Sequence, residues 1–380
     1  MSTATRETHP APARSVFEVN TEVGEPVGEL SVFMLPGRVT DPGAGLRQAI
    51  DAERAGFGRI WLSERYDLKD PGLLYAAAAV TTRIQVGSGL IAAGAHHPVV
   101  LASWAATLQA VFGTRLTVGL GRGMPEVLHS KGLKVLSLPA IEDYAMILRR
   151  LWAGETVTYH GPIGNLPNAA LLDRVDTPAP PLVLGCLGGS RACAVAARSF
   201  DAVFLMPFTT PDATAETKGW LRAGAEQAAR DPDAVRVIAE VVTAPDLAPD
   251  SDEAAALVHA RALTYLQMPG LGKPMLRRNQ WDPAHLRAIE NHPMFTGGRS
   301  ADQGFHRSEL LAAARMLPPE WIESTAAIGS PSKCVDRLET YFAAGADEIV
   351  LHGSAPDALA PVVAEYRRRR THNTAVRPGR

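Results

Sequence analysis

Two adjacent histidines, His96 and His97, have side chains that exchange protons near neutral pH. They precede Pro98, which suits the first turn of a helix, so we expect them in the loop that enters a helix running to about residue 112. An imidazole in such a loop can act as a general acid or base. The alternative is that the rings only brace the loop, which is our interpretation of His96. His97 is therefore the first candidate for proton transfer.

Two further histidines have two interpretations each. His352 closes the segment "DEIVLHG" and either takes part in catalysis or hydrogen-bonds a neighbouring loop. His292, in "NHPMFTGG", either contacts the substrate from a lid or caps a turn before Pro293. The sequence has three widely spaced cysteines and no CxxC or HExxH pattern, so it predicts neither a metal site nor a disulfide framework. This cysteine usage suits a reducing compartment, and we expect a cytoplasmic protein.

The segment "GCLGGSRACAVAARS" contains the best candidate anion site. Gly188 and Gly189 allow a tight turn, and Ser190 is expected to cap the helix that follows. Free N–H groups at the start of a helix bind phosphate well. The alternative is an ordinary turn with a good N-cap. We favour the phosphate site.

The elements that must position these residues are short apolar strands alternating with Ala-rich helices. Strands are expected near residues 29–35, 59–63, 84–91, 115–121, 181–188, 202–207, 235–244 and 347–353. Near-continuous apolar strands, each followed by a helix, predict an α/β fold with a parallel sheet buried on both faces. Eight such units predict a single (β/α)8 TIM barrel, with a doubly wound sheet as the alternative.

The barrel is expected to span residues 29–370. A flexible N-terminal arm, residues 1–28, precedes it, and a flexible basic tail, residues 371–380, follows it. Two segments, about 153–180 and 245–330, are too long for simple loops and are predicted insertions after strands four and seven. Within the second, residues 269–300 are expected to be irregular.

Composition excludes some classes of partner. The 380-residue chain has 46% hydrophobic residues and a net charge of −2, so no global basic field favours nucleic acid. No apolar run is long enough to cross a bilayer, and the first residues lack the apolar core of a signal peptide. The expected partner is a small-molecule substrate, with neither nucleic acid nor membrane.

The stretch "RLTVGLGRGMPE", residues 115–126, resembles a dinucleotide-binding turn at first sight. Gly119 and Gly121 fit the first two positions of G-x-G-x-x-G, but Met124 occupies the third, and no helix opens directly there. We therefore place these glycines at the end of barrel strand four, where active sites of this fold lie. There they are expected to keep side chains away from a flat cofactor ring. Arg122 and Glu126 become candidate site residues.

Four segments in order resemble the luciferase-like monooxygenase superfamily, over about residues 30–365. They are "GFGRIWLSERYD", "IQVGSGLIAAGAHHPVVLASWAATLQAVFGTRLTVGLGRG", "LVLGCLGGSRACAVAARSFDAVFL" and "IGSPSKCVDRLETYFAAGADEIVLHG". The last two are more similar to the branch that depends on the deazaflavin coenzyme F420. The resemblance implies a cofactor at the barrel mouth that does the redox chemistry.

The resemblance also implies roles for individual positions. A non-proline cis peptide is expected at Gly89–Leu90, or second at Ser88–Gly89, behind the central ring of the cofactor. The expected cofactor-binding residues are Ser88, Gly89, Leu90, Gly121, Arg122, Gly123, Gly188, Gly189 and Ser190. Glu64 matches an acidic residue that touches the cofactor in several family members. From the positions expected for the residues themselves, we add His97, Arg65 and Glu126 to Glu64 as candidate catalytic residues, and His292 and Met124 as candidate substrate contacts.

Two positions depart from the family pattern. Arg65 stands where many relatives have a histidine, and Met124 stands where some sugar-phosphate dehydrogenases have a glutamate, with Glu126 two residues on. The acid and base of those relatives therefore cannot be transferred directly. Arg65 either holds an anionic substrate or cofactor tail, or forms an ion pair with Glu64 or Asp67.

The predicted function is hydride transfer between an organic substrate and F420. The alternative is an FMN-dependent two-component monooxygenase that acts on paired donors with molecular oxygen and receives reduced flavin from a reductase. A remote alternative is a non-catalytic cofactor-binding protein. The resemblance also suggests a homodimer.

Overall fold

The computed structural model describes residues 26–173, 176–268, 270–295 and 301–376. Most of the predicted N-terminal arm, residues 1–25, and the end of the predicted basic tail, residues 377–380, lie outside the described residues. Within these ranges the chain forms the following strands: β1 Val27–Phe33, β2 Phe57–Leu62, β3 Gln85–Ser88, β4 Ile91–Ala92, β5 Leu116–Gly121, β6 Val157–Gly161, β7 Gly164–Ala169, β8 Leu182–Cys186, β9 Ala202–Leu205, β10 Arg236–Pro245, β11 Ala326–Gly329 and β12 Glu348–Gly353.

Eight of these strands close into a parallel barrel. Their order is β1-β2-β3-β5-β8-β9-β10-β12, and pairings of β9 with β10 and of β12 with β1 complete the ring. The predicted (β/α)8 barrel is therefore confirmed, and these are barrel strands one to eight. β4 continues strand three beside β5, β11 pairs with β10 outside the ring, and β6 and β7 form a separate antiparallel hairpin between strands four and five.

Helices surround the barrel and form most of the second long segment, about residues 245–330. They are α1 Ala44–Ala55, α2 Gly72–Ala79, α3 Pro98–Phe112, α4 Pro125–Ser130, α5 Leu138–Trp152, α6 Ser190–Ser199, α7 Pro211–Gln227, α8 Asp252–Ala254, α9 Ala260–Leu266, α10 Gly272–Asn279, α11 Pro283–Glu290, α12 Ala301–Gly304, α13 Leu311–Ala314, α14 Pro319–Thr325, α15 Pro331–Ala343 and α16 Pro356–Val376. A π-helical turn, Ala255–His259, joins α8 to α9, and 3₁₀ turns occur at Ala93–Ala95, Pro293–Phe295 and Arg307–Leu310.

The structure differs from the sequence predictions in three elements. The segment expected to be irregular contains α10 and α11, and α11 has an ordinary start signal: Pro283 is its first residue and the Asp282 carboxylate accepts from the Ala284 N–H. The single third strand is broken into β3 and β4 by Gly89 and Leu90. The last helix continues past residue 370 to Val376, into the predicted flexible tail.

Side-chain alternation along the strands defines the barrel interior. Phe33, Trp61, Val183, Phe204 and Val350 belong to an apolar cluster that Leu90 also contacts. The residues between them pack outward against the helices in a larger core. Because alternate residues of a strand face the same side, the residues two positions beyond the interior cluster form the floor of the barrel mouth.

Candidate active site

The break in strand three is held by backbone and hydroxyl hydrogen bonds. The Gly89–Leu90 peptide is cis, as predicted. The Gly89 N–H donates to the Leu62 carbonyl at 2.7 Å, and the Leu90 carbonyl accepts from the Glu64 N–H at 3.2 Å. The Ser88 hydroxyl accepts from the Gly119 N–H at 2.8 Å and donates to the Gly119 carbonyl at 3.1 Å. Ser88 therefore ties strand three to strand four.

The glycines of strand four lie close to atoms at the break in strand three. A Cβ at Gly119 would lie 2.1 Å from the Ser88 carbonyl oxygen, and one at Gly185 would lie 1.8 Å from Cδ1 of Leu90. At Gly121 the nearest atom is again Cδ1 of Leu90, at 3.1 Å. The Leu90 side chain therefore lies over Gly121 and over Gly185 of barrel strand five, and the contact of the strand-four glycines with a flat ring stays a prediction.

Gly123 also contacts protein. It adopts a φ of +71°, and a Cβ there would lie 2.5 Å from Cδ1 of Leu128. The Arg122 side chain is exposed and its Nε donates to the Leu136 carbonyl at 2.9 Å. These contacts fold the chain after strand four into α4, where Glu126 is exposed in the first turn and Met124 is the half-buried N-cap residue.

A buried carboxylate supports the loop after β4 from the barrel rim. Glu64 accepts from the Ala92 N–H at 3.1 Å, and its other oxygen lies 2.5 Å from Nε2 of His96. The hydrogen bond to Glu64 raises the pKa of His96 above its ordinary value, while partial burial opposes it. The Tyr144 hydroxyl donates to the His96 carbonyl at 3.0 Å. The structure thus places His96 at this carboxylate.

Three other predicted site residues are exposed or contact residues close to them in the chain. The His97 side chain is exposed at the start of α3. Arg65 pairs with Asp67 across 3.8 Å, which matches the ion-pair alternative. Nδ1 of His292 accepts from the Met294 N–H at 3.3 Å, which matches the turn-capping alternative. The geometry brings together Glu64 and His96.

The predicted phosphate loop leads directly into α6. Gly188 has a φ of +71° and its N–H lies 3.4 Å from the Cys186 sulfur. Gly189, and not Ser190, is the N-cap residue, so the predicted capping role of Ser190 is wrong. Ser190 is the first helical residue and is exposed. The helix therefore begins at a residue without a capping side chain, and no atom of the neighbouring elements lies within 4 Å of a Cβ built at Gly189.

The floor of the mouth contains ionisable groups that the sequence interpretation missed. Glu240 and Arg261 are 5% and 3% exposed, and both approach His352, which is 7% exposed. Nε2 of His352 lies 2.6 Å from Nη1 of Arg261, and Nδ1 lies 3.3 Å from Oε1 of Glu240. Because a guanidinium only donates, Nε2 must accept and the imidazole proton lies on Nδ1. Among the described residues, neither Nδ1 of His352 nor Oε1 of Glu240 has a hydrogen-bond partner.

Burial sets the protonation states of Glu240 and His352. Burial raises the pKa of Glu240 to about 8, with the positive charge of Arg261 acting against it. Burial, followed by the charges of Arg261, Arg307 and Lys69, keeps the pKa of His352 well below its ordinary value. Both groups are therefore neutral at pH 7. In the sequence, the signal for this group is Glu240, a single carboxylate between Ile238 and Val242 in a largely apolar strand.

The described residues contain neither a metal-binding cluster nor a membrane-spanning helix. No group of three or more histidine, cysteine or acidic side chains among them could hold a metal ion. No helix in the described ranges is both long and apolar enough to cross a membrane.

The closed barrel, with ionisable groups and a glycine-rich helix start at the carboxyl ends of its strands, defines a (β/α)8-barrel enzyme. A model of the luciferase-like monooxygenase family matches residues 28–348. The chain therefore belongs to the luciferase-like monooxygenase family, as its resemblance suggested, and the prediction of an enzyme of this family is confirmed.

Named relatives include F420-dependent enzymes. The chain is 25% identical over 342 residues to an F420-dependent glucose-6-phosphate dehydrogenase of Kineococcus radiotolerans, covering 85% of this chain and 88% of that protein. It is 25% identical over 301 residues to a 5,10-methylenetetrahydromethanopterin reductase of Methanolobus tindarius, covering 79% and 86%. The solved coenzyme F420-dependent tetrahydromethanopterin reductase of Methanopyrus kandleri has the same fold, with a TM-score of 0.74, 20% identity and coverage of 91% and 100%. These matches confirm the similarity to the F420-dependent branch.

Proposed function

We propose that this protein is an oxidoreductase that transfers a hydride between a small organic substrate and coenzyme F420. The observation that carries this proposal is the start of α6. Its N-cap residue is a glycine, the space over Gly189 is open, and the helix begins at the carboxyl end of barrel strand five. Such a helix start fits a phosphate group, which F420 and FMN both carry. The names of the relatives favour F420.

The backbone N–H groups at the start of α6 and the exposed Ser190 hydroxyl would hold the phosphate. The bound deazaflavin would supply the carbon that accepts or donates the hydride. Leu90 packs on the buried rings of Phe33 and Phe204, and this apolar cluster would keep water away from a bound ring. His352 carries its proton on Nδ1, and Nε2 of His96 lies 2.5 Å from Oε1 of Glu64 at the rim. These are the groups that can hold the proton that accompanies hydride transfer.

Replacing Ser190 with aspartate tests the phosphate site. The new carboxylate would repel a phosphate at the start of α6, and we expect F420 binding to weaken by about tenfold or more. The melting temperature should stay nearly unchanged, because an acidic residue is favourable in the first turn of a helix. Fluorescence titration measures the binding. The control is Ser330→Asp, which adds the same charge at the start of α15. Unchanged affinity in Ser190→Asp, or an equal loss in both variants, would sink the phosphate assignment.

A second candidate function is that of an FMN-dependent monooxygenase, which the description of the matched family favours. The same helix start would hold the FMN phosphate. This function would require a reductase partner that supplies reduced flavin. The two candidates differ in which cofactor binds.

We also propose that the chain forms a homodimer in the cytoplasm. Helices α2 and α3 contain no charged residue, and Val100 and Val111 are 62% and 56% exposed on α3. An apolar, charge-free pair of surface helices is typical of a subunit interface. A monomer in sedimentation equilibrium at micromolar concentration would contradict the dimer. The three free cysteines support a reducing compartment.

A further inference from the structure

Arg278, in the segment between strands seven and eight, contacts Thr217 of α7, which in turn contacts the predicted phosphate loop. Arg278, in the last turn of α10, crosses to α7, and its side chain is 9% exposed. Its guanidinium lies 4.7 Å above the Trp220 ring and forms an ion pair with Glu216. Arg278 is therefore fixed by stacking on one face and by a carboxylate at its edge.

The hydrogen bonds of Arg278 influence which carbonyl accepts a hydrogen bond from the Thr217 hydroxyl. Nη2 of Arg278 donates to the Ala213 carbonyl and, at 3.0 Å, to the Thr217 hydroxyl oxygen. The Thr217 hydroxyl lies 2.8 Å from the Ala213 carbonyl and 3.2 Å from the Gly188 carbonyl. A hydroxyl has one proton to donate. Arg278 donates to the oxygen of this hydroxyl and to the Ala213 carbonyl that competes for its proton, so Arg278 favours donation from Thr217 to the Gly188 carbonyl.

This contact fixes the loop that enters α6. Thr217 is fully buried, and a Cβ at Gly188 would lie 2.2 Å from its hydroxyl oxygen. The Gly188 carbonyl is thus held on Thr217, inside the protein. The charge of Arg278 also reaches the loop, because it acts against the burial that raises the pKa of Cys186 to about 11. An anion at the start of α6 therefore meets N–H groups and a nearby positive charge.

We propose that Arg278 is a positioning residue for the phosphate group of the cofactor, and that it acts through Thr217 and the Gly188 carbonyl. The inference rests on the proposed function, since it concerns the same site. It assigns part of the cofactor affinity to the segment between strands seven and eight.

The test is a fluorescence titration of Arg278→Met with two compounds. One is F420, and the other is the deazaflavin that corresponds to riboflavin and carries no phosphate. We expect F420 affinity to fall about tenfold, the effect of one charge-assisted hydrogen bond, and affinity for the phosphate-free compound to stay unchanged. Arg278→Lys should lose nearly as much, because a lysine cannot serve Ala213, Thr217 and Glu216 together. Thr217→Val should give a similar loss, and the double variant should lose less than the sum.

Arg277→Met is the matched control. Arg277 is the exposed neighbour of Arg278 in the same helical turn, so the change removes the same charge and should leave F420 affinity unchanged. An equal loss for the phosphate-free compound would show a merely structural role and overturn the inference. Normal F420 affinity in Arg278→Met would also overturn it. If the wild-type protein binds neither F420 nor the phosphate-free compound, the proposed function itself fails.

Discussion

Gly119→Ala is expected to destabilise the barrel by about 3 kcal/mol or more, whereas Gly121→Ala should cost less than about 1 kcal/mol. A Cβ at Gly119 would lie 2.1 Å from the Ser88 carbonyl oxygen. That carbonyl belongs to strand three, which is hydrogen-bonded between strands two and four. The backbone cannot move away without breaking the bonds between Ser88 and Gly119. The clash therefore has to be relieved by separating two strands.

Gly121 is the matched control in the same motif. A Cβ at Gly121 would lie 3.1 Å from its nearest neighbour, a methyl group of Leu90. That methyl group is the far end of a flexible side chain. Urea unfolding of both variants, with the midpoint and slope compared, measures the difference. Equal losses of stability in the two variants would contradict the assignment of Gly119 to the contact between strands three and four.

Glu240→Gln is expected to become more stable than the wild-type protein as the pH rises from 5 to 8. Burial raises the pKa of Glu240 from its ordinary 4.5 to about 8, so the folded protein keeps a proton that the unfolded chain releases. The stabilisation from this proton is complete below pH 4.5 and is lost as the pH rises through 8. The wild type should therefore lose about 1.4 kcal/mol per pH unit relative to the glutamine variant.

Urea unfolding of the two proteins at pH 5, 6, 7 and 8 measures this slope. The control is Glu142→Gln, because the ion pair with Arg198 lowers the pKa of Glu142. Its difference from the wild type should be flat over the same range. A flat difference for Glu240→Gln as well would contradict a neutral carboxyl group on the barrel floor.

The barrel could be predicted from the sequence because its signals are local and repeated. Each strand is a short apolar run and each run is followed by an Ala-rich helical segment, so the count of eight was sufficient. The break at Gly89–Leu90 came from the family resemblance. Helices α10 and α11 are harder to predict, because Pro, Gly and Asn in that segment suggest a loop, and the Asp282 cap of α11 is a local signal for a helix.

The candidate site was harder to predict because its contacts join distant parts of the chain. The role of Gly121 depends on Leu90, which lies 31 positions away and whose side chain fills the space over it. Adjacent histidines cannot be distinguished by sequence, and only the fold shows that His96 meets Glu64. In the sequence, Glu240 and Arg261 are each an isolated charge in a buried element. Only the structure shows that both lie close to His352.

Titration of the purified protein with F420 and FMN, each oxidised and reduced, tests the central claim most directly. Fluorescence reports both cofactors. The proposed function predicts saturable binding of F420, its loss in Ser190→Asp, and no saturable binding of FMN. Binding of FMN without F420, or binding of neither, would contradict it.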